Sequence, residues 1–392
     1  MKTGFVSRQT DFDDTYDLIC FSHLRWDFVY QRPQHLLSRF AAERRVFFIE
    51  EPIFYDGEAF LKISQRENEL FVAVPHIPHN TKADELGNLL RRLLDDLLID
   101  NDITDHISWY YTPMMLGWSD HLHPLAVVYD CMDELSAFKN APPELHALEA
   151  KLFSIADLVF TGGHSLFEAK RNKHDAVYPF PSSIDAAHFA RALKVEKDPS
   201  DQANIPAPRV GFFGVIDERC DIKLLEKIAD LKPEWHFVMI GPVVKIDEAD
   251  LPRSANIHYL GGKSYNELPD YIAGWDVAMM PFAVNESTRF ISPTKTPEYL
   301  AAGKPVVSTP IRDVIRPYGD KGLVFIAKTP EDFISAIGRA MNEIDTESGT
   351  LRRKRADEYI EGMSWDKTFT EMSKLINLAV ARSTQTETVA RG

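Results

Sequence analysis

The feature that most constrains the fold is an alternation of short apolar runs with amphipathic segments along almost the whole chain. The apolar runs are rich in Val, Ile and Phe, and several are apolar on both faces. Such runs are typical of strands buried inside a parallel sheet. The segments between them carry apolar residues at helical spacing. The alternation therefore predicts α/β architecture with doubly wound, mostly parallel sheets.

The predicted elements fall into two series. The predicted strands of the first series are residues 17–22, 46–50, 70–74, 107–111, 126–130 and 158–161, and its helices are 33–43, 84–99, 144–156 and 165–173. The predicted strands of the second series are residues 209–213, 236–240, 256–260, 277–281, 305–308 and 323–326, and its helices are 221–230, 266–273, 297–302, 330–343 and 351–361. A last helix is predicted at 366–380.

Residues 190–208 separate the two series, because they are polar and rich in Pro and Ala, as linkers are. The length of 392 residues also suits two domains. We predict an N-terminal domain over residues 1–195, a second domain over 205–362 and a closing helix over 363–382. Ligands of open α/β sheets bind beyond the carboxyl ends of the strands, so two such domains facing each other predict a central cleft.

Composition excludes several classes of protein. A net charge of −15 argues against nucleic-acid binding, which needs basic surface. No apolar run approaches the ~20 residues that span a bilayer, and the N-terminus lacks a secretory signal, so we expect a cytoplasmic protein. Cys20, Cys131 and Cys220 form no CxxC pair, and we interpret them as buried free thiols.

The motifs of the best-known α/β enzymes are missing. No GxGxxG follows a predicted strand, and no GxxxxGK[ST] is present, which argues against dinucleotide dehydrogenases and P-loop NTPases. HExxH and GxSxG are also missing, which argues against zinc peptidases and α/β-hydrolases.

The most informative segment is residues 292–307, S-P-T-K-T-P-E-Y-L-A-A-G-K-P-V-V, which predicts a loop, a short helix and a buried strand. Thr296 is the predicted cap of the helix, and Pro297 suits its first position. Gly303 is expected to end the helix in a left-handed conformation, and Pro305 prevents its continuation.

The loop that precedes this helix is suited to a diphosphate. Backbone N–H groups between Ser292 and Lys295, including that of Thr294, would face a ligand, and Lys295 adds a positive charge. Glu298 lies in the first turn, where a carboxylate can accept hydrogen bonds from two ribose hydroxyls. The alternative for Glu298 is a simple favourable charge at a helix N-terminus.

This segment resembles the nucleotide-sugar motif of GT-B glycosyltransferases, most closely bacterial enzymes related to family 4 and family 1-like enzymes of exopolysaccharide and teichuronic acid synthesis. Further segments carry the resemblance in order and spacing: residues 21–35, 129–133, 181–185, 211–216, 239–242, 258–261, 275–281 and 364–366. Retaining members usually have a second glutamate eight positions before the one that matches Glu298, and Phe290 stands there. The resemblance therefore supports donor binding better than it supports a retaining outcome.

The resemblance implies two Rossmann-like domains and a sugar transfer. The donor would be a nucleotide diphosphate sugar, with UDP preferred, and the acceptor a glycan, a lipid-linked glycan or a small molecule. A nucleotide-sugar epimerase, a phosphorylase and a non-catalytic nucleotide-sugar-binding subunit are the alternatives, since the motif indicates binding and does not prove catalysis.

Donor-site candidates also lie outside the 292–307 segment. Gly214 ends a strand where a phosphate can approach the backbone, and an ordinary turn at the strand end is the alternative. Gly241 ends the next strand and is expected to line the same cleft. Arg219 stands where relatives place a cation against the diphosphate, and the alternative is a solvated arginine.

The remaining donor-site candidates would lie near the base or the sugar. Tyr259 and Leu260 match the segment that relatives use around the nucleobase, and core packing is the alternative. Asn285 could bind the sugar or a phosphate, and a turn asparagine is an equal alternative.

The leaving diphosphate gains negative charge in the transition state. Lys295, Arg219 and the helix N-terminus would stabilise that charge. The acidic residues 247–250 are interpreted as an exposed loop, so we expect no essential metal and no cofactor apart from the donor substrate.

An inverting enzyme needs a base for the acceptor hydroxyl, which the first domain should supply. The candidates are Asp27, Asp130, Asp133 and His23, and for the aspartates turn capping or ion pairing is an equal alternative. The amphipathic residues 89–98 predict core packing, with peripheral contact at the inner face of a membrane as the alternative.

Overall fold

The structure, a computed structural model, describes residues 16–391. Residues 1–15, on which the argument against a secretory signal depends, lie outside the described residues. The chain forms two compact units. The first contains the described residues up to Gly162, then Leu166–Phe180 and the residues from Asp366 onward, and the second contains Gly163–Ser165 and Pro181–Trp365.

The first unit is built on one large sheet. Its strands are β1 (Asp17–Ser22), β2 (Val46–Glu50), β3 (Ile53–Tyr55), β4 (Phe60–Gln65), β5 (Leu70–Pro78), β6 (His106–Tyr110), β7 (Ala126–Cys131), β8 (Leu158–Thr161) and β9 (Val177–Pro179). The helices between them are α1 (Arg32–Phe40), α2 (Ala83–Asp100), α3 (Leu116–Ser119), α4 (Leu145–Ile155) and α5 (His164–Lys170). The strand order is β5-β2-β1-β6-β7-β8-β9, all parallel, with β3 parallel and β4 antiparallel to β5.

The second unit repeats this plan. Its strands are β10 (Arg209–Phe213), β11 (His236–Ile240), β12 (Ile257–Tyr259), β13 (Val277–Met280), β14 (Val306–Ser308) and β15 (Phe325–Ile326). Its helices are α6 (Ala186–Ala190), α7 (Ile222–Leu231), α8 (Leu268–Ala273), α9 (Lys295–Ala301), α10 (Arg312–Val314), α11 (Pro330–Glu343) and α12 (Glu347–Glu361). The six parallel strands have the order β12-β11-β10-β13-β14-β15, which is the order of doubly wound nucleotide-binding sheets.

The doubly wound α/β prediction is confirmed, and every predicted strand is present. The strands that the sequence pattern missed are β3, β4 and β9, none of which is a continuous buried run. Residues of β3 and β4 are largely solvent-facing, so they lack the apolar signal of a buried strand.

The predicted linker at 190–208 is packed structure, and the first unit gives way to the second between Phe180 and Pro181. Ala192 and Ile205 lie in the hydrophobic core of the second unit. Buried Gln202 donates to the carbonyl of Tyr271 at 2.9 Å. The polar composition predicted a linker, but Ala192, Gln202 and Ile205 contact buried residues that are distant in sequence, so the local sequence could not predict this packing.

The last helix, α13 (Trp365–Arg391), packs within the first unit. Asp366 accepts from Arg39 at 2.6 Å, and the ring of Phe369 lies 4.8 Å from that of Phe40. Farther along, Asn377 accepts from the hydroxyl of Tyr16 at 2.6 Å. The helix thus follows the second unit in sequence and contributes to the core of the first.

Helix α2 buries Leu90, Leu94 and Leu97, as the core-packing interpretation of residues 89–98 requires. Its polar face includes Arg91, which binds Asp120 at 2.5 Å. Through residues 16–391, every helix is too short or too polar to cross a bilayer.

Candidate active site

Helix α9 begins at Lys295, with Thr294 in the capping position. Thr296, the predicted cap, is instead buried inside the first turn, where its hydroxyl lies 3.5 Å from the sulfur of Met280. The helix starts early because Pro293 has a fixed φ that suits a first turn, and its carbonyl accepts from the N–H of Thr296 at 3.3 Å. The start of the helix therefore lies two residues before the predicted one.

The end of α9 follows the prediction. Gly303 has φ +74°, the left-handed value that glycine adopts at helix ends. The N–H of Lys304 returns to the carbonyl of Tyr299 at 3.0 Å, and β14 follows. The predicted order of loop, helix and buried strand is confirmed.

Two glycines that follow adjacent strands meet at the start of α9. Gly214 follows β10 with φ +135°, and Gly241 follows β11 with φ +142°. A Cβ atom at Gly241 would lie 1.9 Å from the carbonyl oxygen of Gly214. A Cβ atom at Gly214 would lie 2.3 Å from Cε and 2.6 Å from Nζ of Lys295. The ammonium group of Lys295 thus rests against bare backbone at the carboxyl end of the sheet.

Lys295 is surrounded by aromatic rings. Its Nζ lies 5.7 Å from the ring centroid of Phe212 and 5.9 Å from those of Phe213 and Phe282. Burial lowers the pKa of Lys295, the charge of Glu298 raises it, and that of Arg219 lowers it further. An anionic ligand beside this ammonium would find it poorly solvated, which strengthens the attraction.

Glu298 is a buried carboxylate with only 4% of its surface exposed. Within the part of the chain that the structure describes, its Oε2 atom has no hydrogen-bond partner. Burial raises the pKa of Glu298, whereas the charge of Lys295 and a hydrogen bond from Thr294 lower it. A buried oxygen without a partner is costly, so it is a natural acceptor for a ligand hydroxyl.

Arg219 lies in the turn after β10 and is held by Asp217. The guanidinium forms a forked contact with that carboxylate, the shortest distance being 2.7 Å, and Asp217 is buried. The structure therefore brings Arg219, Lys295, Glu298 and Gly214 into one cluster, as the sequence indicated.

Tyr259 and Leu260 lie beside this cluster. The amide of Leu260 donates to the carbonyl of Met239 at 2.9 Å, and that of Gly241 donates to Gly261 at 2.9 Å. The hydroxyl of Tyr259 donates to the carbonyl of Pro252 at 3.2 Å, and burial raises the pKa of Tyr259 to about 12. The segment is thus fixed at the end of β11.

Asn285 and Ser292 have local structural contacts. The side-chain oxygen of Asn285 accepts from the amides of Ser287 and Thr288, as in a turn asparagine. The carbonyl of Ser292 accepts from the hydroxyl of Ser182 at 2.6 Å. The contacts of Asn285 are those of the turn-asparagine alternative.

The candidate bases of the first unit differ in their surroundings. Asp130 is fully buried and binds Arg32 through both oxygens, with distances of 2.8–3.1 Å. Exposed Asp27 pairs with Arg66 at 2.6 Å. Asp133 is half-buried, and its carbonyl accepts from the thiol of Cys131 at 3.6 Å. The charges of Asp130 and Asp133 both raise the pKa of Arg32, so both carboxylates lie near its guanidinium group.

His23 lies just beyond β1 and is half-buried. The three cysteines are buried free thiols, as predicted. Burial raises the pKa of Cys131 and of Cys220 to about 12, so neither is a reactive thiolate at neutral pH. In the acidic segment, Asp247 caps a short turn and its neighbours are exposed.

Two contributors to the site were not identified from the sequence. Asp217 orients Arg219, and its position two residues before an arginine was the available signal. The hydroxyl of Tyr299 accepts from the amide of Phe213 at 3.0 Å, which ties α9 to the last residue of β10. The available signal was Tyr299 itself, which directly follows Glu298 in the 292–307 segment.

Comparisons with known proteins agree with this geometry. Residues 207–343 match the family described as "Glycosyl transferases group 1", and this match includes the cluster around α9. The structure of sucrose-phosphate synthase from Thermosynechococcus elongatus superimposes with a TM-score of 0.68, covering 94% of this chain and 100% of that one at 13% identity. The chain has the GT-B fold. The resemblance to GT-B glycosyltransferases is thereby confirmed.

Two further proteins are similar to this chain, one in structure and one in sequence. Anabaena HepE, in complex with UDP and glucose, gives a TM-score of 0.64 and 14% identity over 92% of this chain and 99% of that chain. The "Putative teichuronic acid biosynthesis glycosyltransferase TuaH" of Bacillus subtilis (strain 168) is 27% identical over 226 residues, 51% of this chain. The similarity spans 57% of the length of that curated relative.

Proposed function

We propose that this GT-B protein is a glycosyltransferase that moves a sugar from a nucleotide diphosphate sugar, with UDP as the preferred nucleotide, to an acceptor. The observation that carries the proposal is the buried Glu298, whose Oε2 atom has no partner within the described residues, beside Lys295 and the bare backbone at Gly214. The match of residues 207–343 to group 1 glycosyl transferases supports it. The complex of Anabaena HepE with UDP supports the choice of nucleotide.

In this proposal each group of the cluster has a separate task. Glu298 accepts hydrogen bonds from ribose hydroxyls, and Lys295 faces the diphosphate across the backbone of Gly214. Arg219, oriented by Asp217, adds positive charge on the same side. Charge-assisted hydrogen bonds of this kind contribute about 1.5–3 kcal/mol each.

The same groups would stabilise the charge that develops on the leaving diphosphate. We propose on this basis that the reaction needs no divalent metal and no cofactor apart from the donor. Among the described residues, no group of three or more His, Cys, Asp and Glu could hold a metal ion. Activity that survives EDTA would support metal independence, and activity restored only by added Mg²⁺ or Mn²⁺ would contradict it.

If the outcome is inverting, we propose that the base is one of Asp27, Asp130, Asp133 and His23, and the ion pairs of Asp130 and Asp27 weaken the case for those two. Asp130 has both oxygens bound to Arg32, and Asp27 is paired with Arg66. A base must be able to approach and deprotonate the acceptor hydroxyl, and an oxygen held by a guanidinium is poorly suited to that task.

We propose a glycan or a lipid-linked glycan as acceptor, with a role in polysaccharide synthesis, because the name of TuaH refers to teichuronic acid biosynthesis. A small-molecule acceptor is the alternative. Action in the cytoplasm, with peripheral contact at the inner face of the membrane, belongs to the same proposal. Flotation with lipid vesicles tests the membrane contact, and protein that stays unbound to every vesicle would contradict it.

The first experiment is a calorimetric titration with UDP, GDP, ADP and TDP. It compares the wild type with Glu298→Ala and with the control Glu286→Ala, whose carboxylate is exposed and pairs with Arg289. We expect one nucleotide to bind the wild type and the control, and to lose affinity for Glu298→Ala. If no nucleotide binds the wild type at millimolar concentration, the donor-site proposal is wrong.

The sugar derivative of the nucleotide that binds is then assayed for turnover. Transfer to an acceptor, or slow hydrolysis without one, supports a glycosyltransferase. Release of an altered sugar with no acceptor identifies an epimerase. Binding with no turnover of any kind identifies a non-catalytic subunit.

A further inference from the structure

Two histidines lie in contact on adjacent strands of the second sheet. His236 begins β11 and His258 lies in the edge strand β12, and both are half-buried. Nδ1 of His236 lies 3.0 Å from Nε2 of His258. The pair is at the amino end of the strands, whereas Gly241 follows the carboxyl end of β11, about 16 Å away for five extended residues. His236 is therefore distant from the phosphate end of the proposed donor site, whereas His258 directly precedes Tyr259, a candidate for the nucleobase region.

The backbone fixes the separation of these two residues. Strands β11 and β12 are parallel, with Val238 opposite His258. The amide of His236 donates to the carbonyl of Pro208 at 2.9 Å. Just before β12, the buried side chain of Asn256 donates to the carbonyls of Ala229, Lys232 and Trp235. The rings can turn about their side-chain bonds, but their strands are held in register.

The distance between the ring nitrogens suits two ligands of one metal ion. Imidazole nitrogens bind Zn²⁺ at about 2.0–2.1 Å, so two of them at bond angles of 90–109° are about 2.9–3.4 Å apart. The observed 3.0 Å falls within that range. The neutral imidazole ring is the form in which histidine binds metal ions.

We propose that His236 and His258 form a two-histidine site for a divalent cation of the zinc, nickel and copper class, with water completing the coordination. Imidazole ligands favour these ions over Mg²⁺ and Ca²⁺, which prefer oxygen. A bound cation would link the edge strand β12, which contains Tyr259, to β11. Its expected consequence is a more stable second unit.

The test uses the full chain without an affinity tag. Ni²⁺ and Zn²⁺ are titrated calorimetrically at pH 7.5 into the wild type, His236→Ala, His258→Gln and the double variant, and thermal unfolding is followed with and without metal. Glutamine at 258 can still hydrogen-bond to His236 but is a poor ligand. The control is His121→Ala, in the first unit, which removes a partly buried contact with Asp95.

We expect one strong equivalent in the wild type and in the control, and a higher melting temperature when metal is bound. Each single variant should weaken binding at least tenfold, and the double variant should bind no more weakly than the singles, because chelation needs both rings. Affinity should also fall between pH 7.5 and pH 5.5, as protons compete for the imidazoles. Equal affinity in the wild type and the double variant, or losses that simply add, would overturn the proposal.

Discussion

A single methyl group at position 214 should disable the donor site while leaving the fold intact. Gly214→Ala places a Cβ atom 2.3 Å from Cε of Lys295. Because this neighbour is the far end of a flexible side chain, the lysine can adopt another rotamer, and the backbone can keep its position. The ammonium group then leaves the position that faces the proposed diphosphate.

The magnitude has two parts. The φ of +135° lies outside the left-handed α region, in backbone space that is mostly reserved for glycine, so alanine there costs about 1–3 kcal/mol. Displacement of Lys295 removes one charge-assisted hydrogen bond to the nucleotide, about 1.5–3 kcal/mol, which corresponds to roughly tenfold to a hundredfold in affinity. The free energy of unfolding and the nucleotide affinity should therefore both fall, and the loss of affinity is the part that depends on Lys295.

Gly322→Ala separates the two effects. Gly322 also has a positive φ, +66°, but a Cβ atom there would meet no atom within 4 Å. Both variants should lower the melting temperature, by about 2–4 °C for each kcal/mol lost, and Gly214→Ala should lower it more, because its φ lies farther from the values that alanine adopts. Only Gly214→Ala should lose nucleotide affinity.

Calorimetric titration with the nucleotide that binds the wild type, together with thermal unfolding, measures both parts. The reasoning is refuted if Gly214→Ala binds the nucleotide as tightly as the wild type does. It is also refuted if Gly322→Ala loses affinity to the same extent, because strain alone would then explain the loss.

Three further perturbations test other parts of the structure. Burial raises the pKa of Glu298, so its carboxylate is protonated as the pH falls through that raised pKa. Nucleotide affinity should therefore rise with pH in the wild type. A titration series from pH 5.5 to pH 8.5 measures this dependence, which Glu298→Gln should remove. Arg32→Met leaves Asp130 buried without its partner and should cost about 3–5 kcal/mol in urea unfolding, whereas Arg66→Met, which breaks an exposed pair, should cost less than about 1 kcal/mol. Ile205→Ala should cost about 2–5 kcal/mol if residues 190–208 are core, and a negligible cost would restore the linker interpretation.

Much of the fold could be predicted because its signals are local. Strands such as β10 and β13 are short, apolar on both faces and bounded by turns, so each can be identified without knowledge of its partners. The left-handed end of α9 was predicted from Gly303 followed by a proline for the same reason.

The failures occurred where a tertiary contact decides the structure. Ile205 stands among polar residues and prolines, and only the sheet beneath it makes it core. Asp130 was a candidate base because it follows a strand, but its partner, Arg32, is 98 residues away in sequence. The start of α9 was misplaced by two residues because Thr296 is a good cap by type but is buried against Met280.

The buried carboxylates of this chain differ in whether both of their oxygens have hydrogen-bond partners. Asp130 is fully buried, and both of its oxygens bind Arg32. Glu149 is buried as well, and it receives the ammonium of Lys170 at 2.6 Å. Glu298 differs, because its Oε2 atom has no hydrogen-bond partner among residues 16–391, a property that it shares with the Oδ2 atom of buried Asp313. Of the two, only Glu298 lies beside the ammonium group of Lys295 in the proposed donor site.

A buried acceptor left unmatched costs about 1–3 kcal/mol, and more when it is charged. An apolar side chain at position 298 would avoid that cost, but it would leave the buried ammonium of Lys295 without a facing negative charge. A ligand that brings hydroxyl donors to Glu298 and an anion to Lys295 removes the cost upon binding. A nucleotide diphosphate carries both groups, so the unfavourable charge in the free protein is itself an argument for the donor site.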